Sequence, residues 1–143
     1  MPLTSTQPTF LPLTTSAART AAQSHTDPPV RAAAEVVWRR ACEADAAAAD
    51  CWTAMLANCD SPGRRLLPSR LQALTAATAT YAGSSWWHAE GSHLRRRLAE
   101  AEHELVEAVR DADGEDFAEA FVGYDQAMAT TVVAVQSRLG SPA

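Results

Sequence analysis

The chain contains no lysine and no isoleucine, and it is poor in glycine and in aromatic residues. All 12 basic residues are arginine. Isoleucine is absent and the β-branched residues are mostly threonine, which with valine favours strands; against them stands the alanine content. The three cysteines, Cys42, Cys51 and Cys59, include no C-x-x-C pair, so the zinc frameworks fail on spacing. On one predicted helix, residues nine apart lie roughly 13 Å from each other, beyond the ~7 Å reach of a disulfide. Reduced, mostly buried thiols in a cytoplasmic protein are therefore expected. The opening "MPLTSTQPTFLPLTTSAART" lacks the basic start of a secretory signal, and prolines interrupt its apolar residues. The uncharged run of membrane length, residues 71–89, is studded with Thr, Ser, Gln and a His, which argues against a bilayer span.

What is present is alanine: 31 of 143 residues. Alanine is the strongest helix former, so helix is expected throughout. A core built from methyl groups buries little area per residue, which calls for close helix packing or a partner. One domain fits the length. Residues 1–29 hold 17 Ser, Thr, Pro or Gln and two charges, and read as a flexible tail. Its "SAARTAAQ" could form a transient helical turn, and its apolar "FLPL" could dock on the body or on a partner, but an untethered tail is the favoured reading. Residues 30–140 read as the helical domain.

Four helices are expected there, as an antiparallel four-helix bundle, or as three long helices if the middle ones are continuous. The first opens at "TDPPV", with Asp27 as cap and Pro28 at the first helical position. Its apolar stripe runs Val30, Ala34, Val37, Ala41, Ala44, Ala48, Cys51, Met55. The side-chain-poor "ADAAAAD" is the expected close crossing, at Ala46–Ala49. The second starts near "LPSRL" with Leu67, Leu71, Leu74, Thr78 and Tyr81 on one face. A later stripe reads Trp87, Leu94, Leu98, Ala101, Leu105, Val109, Ala112. At about 100° per residue, Leu71 points roughly 160° away from Trp87, so a break separates the two stripes. Of the candidates, 83–85 is favoured over 91–92, because a start at Ser92 would crowd Arg95, Arg96 and Arg97 at a helix N-terminus, against the macrodipole. The last helix follows "DADGED" with Phe117, Phe121, Tyr124, Met128, Val132, Val135 and Leu139.

The densest chemistry is "WWHAEGSH" at 86–93, read first as a helix junction. Glu90-x-x-His93 and Glu100-x-x-His103 imitate the paired motifs of di-iron bundles, but those need two facing helices, and here both fall on one stretch. A mononuclear metal site from His88, Glu90 and His93 is geometrically open but follows no spacing rule. In "DADGED", a calcium loop centred on Gly114 would put Val109 and Ala120 where carboxylates are required. No nucleophile elbow, Gly-rich phosphate loop or forced Cys–His pair appears, which leans against an enzyme, and no cofactor is implied.

Net charge is −5, but it is segregated: residues 64–98 carry six Arg against one Glu, and residues 99–143 carry ten acids against two Arg. The acidic total weighs against nucleic-acid binding. The arginines are expected to be neutralised by the acidic last helix, through Glu115, Asp116, Glu119 and Asp125. Trp86 and Trp87 project about 100° apart, so only one can face the core, and surplus tryptophan is common at interfaces. The resulting expectation is a regulatory or adaptor protein that binds a protein partner or itself, through Trp86, Trp87 and Arg95–Arg97. The alternative is a metal- or small-ligand-binding bundle around His88, Glu90 and His93.

Overall fold

A computed structural model describes residues 9–140. Among them are six helices and no strand: α1 (Pro12–Ser24), α2 (Pro28–Leu56), α3 (Pro62–Ala82), α4 (Ser84–His88), α5 (Ser92–Arg110) and α6 (Gly114–Gly140). None is long and apolar enough to cross a membrane.

The expected stripes are the buried faces. On α2, Ala34, Val37, Ala41, Ala44, Ala48, Cys51 and Met55 are buried. On α3 so are Leu67, Leu71, Leu74, Thr78 and Tyr81, and on α6 Phe117, Phe121, Tyr124, Met128, Val132 and Val135. The small side chains do bring helices close. Gly63, at the start of α3, donates its N–H to Asp50 Oδ2 on α2 at 2.7 Å. A Cβ there would lie 2.9 Å from the Ala47 carbonyl oxygen, so only glycine fits. Ser61 caps this helix by accepting the Arg64 N–H at 3.1 Å. The helix thus begins six residues before Pro68, which lies inside it, earlier than the expected "LPSRL" start.

The segment read as a tail is where the structure departs most from expectation. Residues 1–8 lie outside the described residues, but α1 spans Pro12–Ser24 and is docked, with Leu11, Thr14, Ala18 and Ala21 fully buried. Its N-terminus is held from outside. Asp45 Oδ1 on α2 accepts the N–H groups of Phe10 (2.8 Å) and Leu11 (2.9 Å). Asp125 on α6 accepts those of Leu13 (3.1 Å) and Thr14 (2.9 Å), while the Thr14 hydroxyl donates to the Asp125 carbonyl at 3.2 Å. Pro12 has no N–H to satisfy. Two carboxylates therefore meet the exposed donors of the first turn and sit at the positive end of the helix dipole. At the other end, His25 Nε2 and the Tyr81 hydroxyl are 2.6 Å apart in a buried pair. The "FLPL" stretch does dock: Phe10 lies within 6 Å, centroid to centroid, of Trp52, Phe117 and Phe121.

Between α3 and α5 the chain breaks at both candidate positions. Gly83 ends α3 at φ +88°, a conformation open to glycine. After the short α4, Gly91 turns against the Trp86 ring, and α5 starts at Ser92. The macrodipole argument against that start fails for a structural reason. Arg95 Nε donates to the Trp87 carbonyl at 3.3 Å, so its charge meets the carbonyl end of α4. "WWHAEGSH" is accordingly a helix junction.

The long helices form two hairpins, α2/α3 and α5/α6, each antiparallel, as Ala47–Gly63 and Glu43–Arg70 show for the first. α1 bridges them along one edge, packed on α2 and α6. On the opposite edge, α3 and α5 face each other with little direct packing.

The cysteine expectation needs correction. Cys59 lies beyond α2, and both Cys42 and Cys59 are exposed; only Cys51 is buried, where desolvation pushes its thiol up to about 11.

Candidate binding groove

The seam between α3 and α5 is a groove of two chemically different parts. Towards the start of α3 and the end of α5 it is a small apolar cavity of about 170 Å³, walled by Leu67, Pro68, Leu71, Leu105, Val106 and Val109, with Arg110 at its rim. Pro68 belongs to this wall; having no N–H, it leaves the Arg64 carbonyl without its usual partner inside the helix.

Further along, the groove widens to about 450 Å³. Ala76, Ala79, Leu98 and Ala99 give it an apolar lining of low bulk, and Trp87 closes one end beside Arg95. Gln72, Thr75 and Glu102 put polar groups into it. Behind Thr75 and Glu102 lies Tyr124 of α6, wholly buried, its hydroxyl without a hydrogen-bond partner. The three groups influence one another. Burial raises the Glu102 carboxyl above its ordinary value, with the Thr75 hydroxyl partly opposing the shift. Burial also raises the Tyr124 phenol, and the Glu102 charge adds to the rise while Thr75 again opposes it. An unpaired buried hydroxyl is a standing cost of about 1–3 kcal/mol. Oxygens from α3, α5 and α6 thus lie close together, with the Thr75 hydroxyl between the carboxyl and the phenol.

The residues singled out in the sequence divide. Trp87 and Arg95 belong to the groove. Trp86 is partly buried, covered by the Gly91 turn and by Arg138, whose guanidinium carbon lies 5.6 Å from its ring centroid. Arg138 in turn donates to the Ala82 carbonyl and so ties α6 to the end of α3. Arg96 and Arg97 are exposed on the outer face of α5.

His88, Glu90 and His93 are exposed, and among the described residues no three His, Cys, Asp or Glu side chains converge to hold a metal ion. His103, on the solvated face as expected, pairs with Glu107 at 3.0 Å.

The expected neutralisation of the arginines by α6 is not found. Among the described residues, Arg95, Arg96 and Arg97 form no ion pair, and Arg70 reaches Glu43 on α2 at 4.0 Å. Asp125 is committed to α1, while Asp116 and Glu119 line a cleft with Glu104, Glu107 and Asp111, acid facing acid. Arg70 and Arg95 lie at different depths along the α3/α5 seam. The groove pairs Leu67 with Val109 and Ala79 with Arg95, because residues 83–91 are spent on turns and α4.

Sequence reasoning did not single out Thr75 or Glu102 as functional, and it took Tyr124 for ordinary core. Only the position of Tyr124 within an apolar stripe was legible; its missing partner is a property of three helices together.

Comparison with known protein families, with curated proteins and with solved structures finds no match to this chain.

Proposed function

We propose that this chain is a helical interaction protein whose α3/α5 groove receives an amphipathic helix from a protein partner. The observation that carries this reading is internal. The same two hairpins are bridged on the opposite edge by α1, a 13-residue helix that inserts mainly alanines, and the α3/α5 edge has a comparable seam without a bridging helix. Helix-in-groove docking needs an apolar floor with a few polar selectors, which describes the Leu71/Leu105 end and the Thr75/Glu102/Arg95 end respectively. On this reading α2, α3, α5 and α6 act as the four long helices of a bundle, Trp87 and Arg95 serve the partner, and the role is regulatory or adaptor rather than enzymatic.

A photo-crosslinking amino acid at Ala99, inside the groove, tests it, with the same label at Ala129 on the far edge as control. The reading predicts one partner segment of helical periodicity joined at position 99 and absent at 129, and its loss in Val106→Glu. Equal labelling at both positions would refute the groove. Self-association has its own motive: Leu13, Val122 and Val133 are each at least half exposed on the α1/α6 face. Light scattering at two concentrations reads that out, and disruption of a dimer by Val133→Glu identifies the face.

A further inference from the structure

We infer that the small cavity at the α3/α5 edge is an anchor pocket for one apolar side chain of leucine or phenylalanine size, carried by an acidic-ended helix of a different protein. The inference rests on the groove reading above and specifies what the docked segment must present. The cavity holds about 170 Å³ and its walls are apolar, Leu67, Pro68 and Leu71 on one side and Leu105, Val106 and Val109 on the other. Leu67, Leu71 and Leu105 are buried, so the space is a recess in the edge of the core itself. Protein interiors leave few voids larger than a water molecule. An apolar cavity of about 150 Å³ stays dry and takes up a benzene ring. This one has the size and the chemistry for a single aromatic or branched aliphatic group.

The filled edge supplies the pattern. There α1 sets one bulky anchor, Leu11, at its start and follows it with Ala18 and Ala21, all fully buried. The walls of the open edge call for the same order: the cavity at one end, then a wider stretch lined by Ala76, Ala79 and Ala99. Leu71 to Ala79 is about 12 Å along α3, close to the ~15 Å from Leu11 to Ala21.

Charge selects the occupant. Carboxylates of the body, Asp45 and Asp125, hold the start of α1. The open edge instead carries arginine at both ends, Arg110 beside the cavity and Arg95 beside Trp87. On α5 the two are about 22 Å apart, just over four turns, and so share the groove side. Among the described residues Arg95 has no ion pair, and Arg110 has the solvent-accessible Glu107 at 3.5 Å, a contact of the kind that contributes little. Glu102 lies between them. The matching helix is therefore acidic at both ends, free of acid in its middle, and carries its anchor within a turn or so of one acidic end. Helix α1 of a second copy does not match, since it has no carboxylate and brings Arg19.

The test titrates the full chain with toluene, 3-phenylpropionate and its neutral counterpart 3-phenylpropanol, following the methyl groups of Leu67, Leu71, Leu105 and Val109 by NMR. All three should give saturable shifts centred on those methyls. The carboxylate should bind about threefold more tightly than the alcohol, the size of an exposed ion pair, and Arg110→Gln should erase that preference while leaving toluene unaffected. Val106→Phe, which fills the cavity from its own wall, should abolish binding of all three. Arg110→Gln, at an exposed position, decides the acidic end even where Val106→Phe does not fold. The segment crosslinked at Ala99 should carry leucine or phenylalanine about two turns from the joined residue, with a carboxylate beyond it. Shifts that never saturate, or binding that survives in folded Val106→Phe, overturn the pocket. Equal binding of the alcohol overturns the acidic end, and a crosslinked segment without the anchor, or from a second copy, overturns the occupant. Failure of the inference is separable from that of the groove: crosslinking at Ala99 without saturation by any probe removes the anchor alone, whereas saturation without crosslinking removes the docked helix.

Discussion

The two edges of this molecule pose the same structural problem and resolve it differently. Along α2 and α6, the gap between hairpins is filled by α1, whose Leu11, Thr14, Ala18 and Ala21 are fully buried and whose first turn is gripped by Asp45 and Asp125. Along α3 and α5, a comparable gap holds no helix among the described residues, and Gln72, Thr75, Arg95 and Glu102 put polar groups into it. The filled edge shows what such a seam accepts: a short alanine-rich helix, anchored by carboxylates at its terminus. The difference is between a seam closed by the chain's own helix and one that is not.

The largest effect should come from breaking the filled edge. Asp125→Ala strands the buried N–H of Thr14 and the partly buried N–H of Leu13 and should cost roughly 3 kcal/mol, with a melting temperature lower by roughly 10 °C. Asparagine at the same site, keeping one acceptor, should recover part of the loss. Hydrogen exchange would show the defect confined at first to residues 12–24; uniform loss of protection would mean that α1 is not a separable element. Leu11→Ala, which empties a fully enclosed site, belongs to the same class at about 2–4 kcal/mol in chemical denaturation.

On the open edge the signs change. Because burial raises the Glu102 carboxyl in the folded state, its contribution favours folding below the ordinary carboxylate value and is lost as pH rises through the shifted one. Glu102→Gln should therefore leave stability at acidic pH nearly unchanged, raise it modestly at neutral pH, and flatten denaturation midpoints between those limits. A midpoint that falls at neutral pH would show the carboxylate to be satisfied already. Smallest of all, Ala76→Glu and Ala99→Glu, both exposed in the groove, should change stability by no more than about 0.5 kcal/mol. Ala76→Glu should also abolish crosslinking from position 99, and a large stability loss from either substitution would mean that α3 and α5 pack on each other more closely than the groove implies.

How much of this could be read from residues alone follows the same division. The stripes of α2, α3 and α6 were legible because a 3.6-residue period of inward apolar positions, alanine-rich on α2 and filled by Leu, Phe and Val on α3 and α6, leaves one solution. α1 was not. Its sequence is rich in Ser, Thr and Pro, and what orders it lies 34 and 111 residues away, on Asp45 and Asp125. No local propensity carries that information. The break between α3 and α5 was half legible: glycine marked both positions, but the charge argument treated Ser92 as an isolated helix start, whereas Arg95 there meets the Trp87 carbonyl. Trp87 and Arg95 were found because tryptophan and arginine are conspicuous. Thr75, Glu102 and Tyr124 were not, since a threonine in a helix, one acid among ten and a core tyrosine become a linked group only when three helices place them together.

The Asp125 grip on α1 also sets an order of events. During synthesis, residues 12–24 leave the ribosome before the last helix exists, yet the acceptor for their amides is 111 residues further on. Until it arrives, that segment has neither its cap nor half of its apolar contacts, and an isolated 13-residue helix is marginal in water. An element made so far ahead of its own acceptor is thus among the last to settle, and closing so long a loop delays it further. In the interval both edges of the molecule are open, and a nascent chain presents two equivalent seams where the finished one presents a single groove.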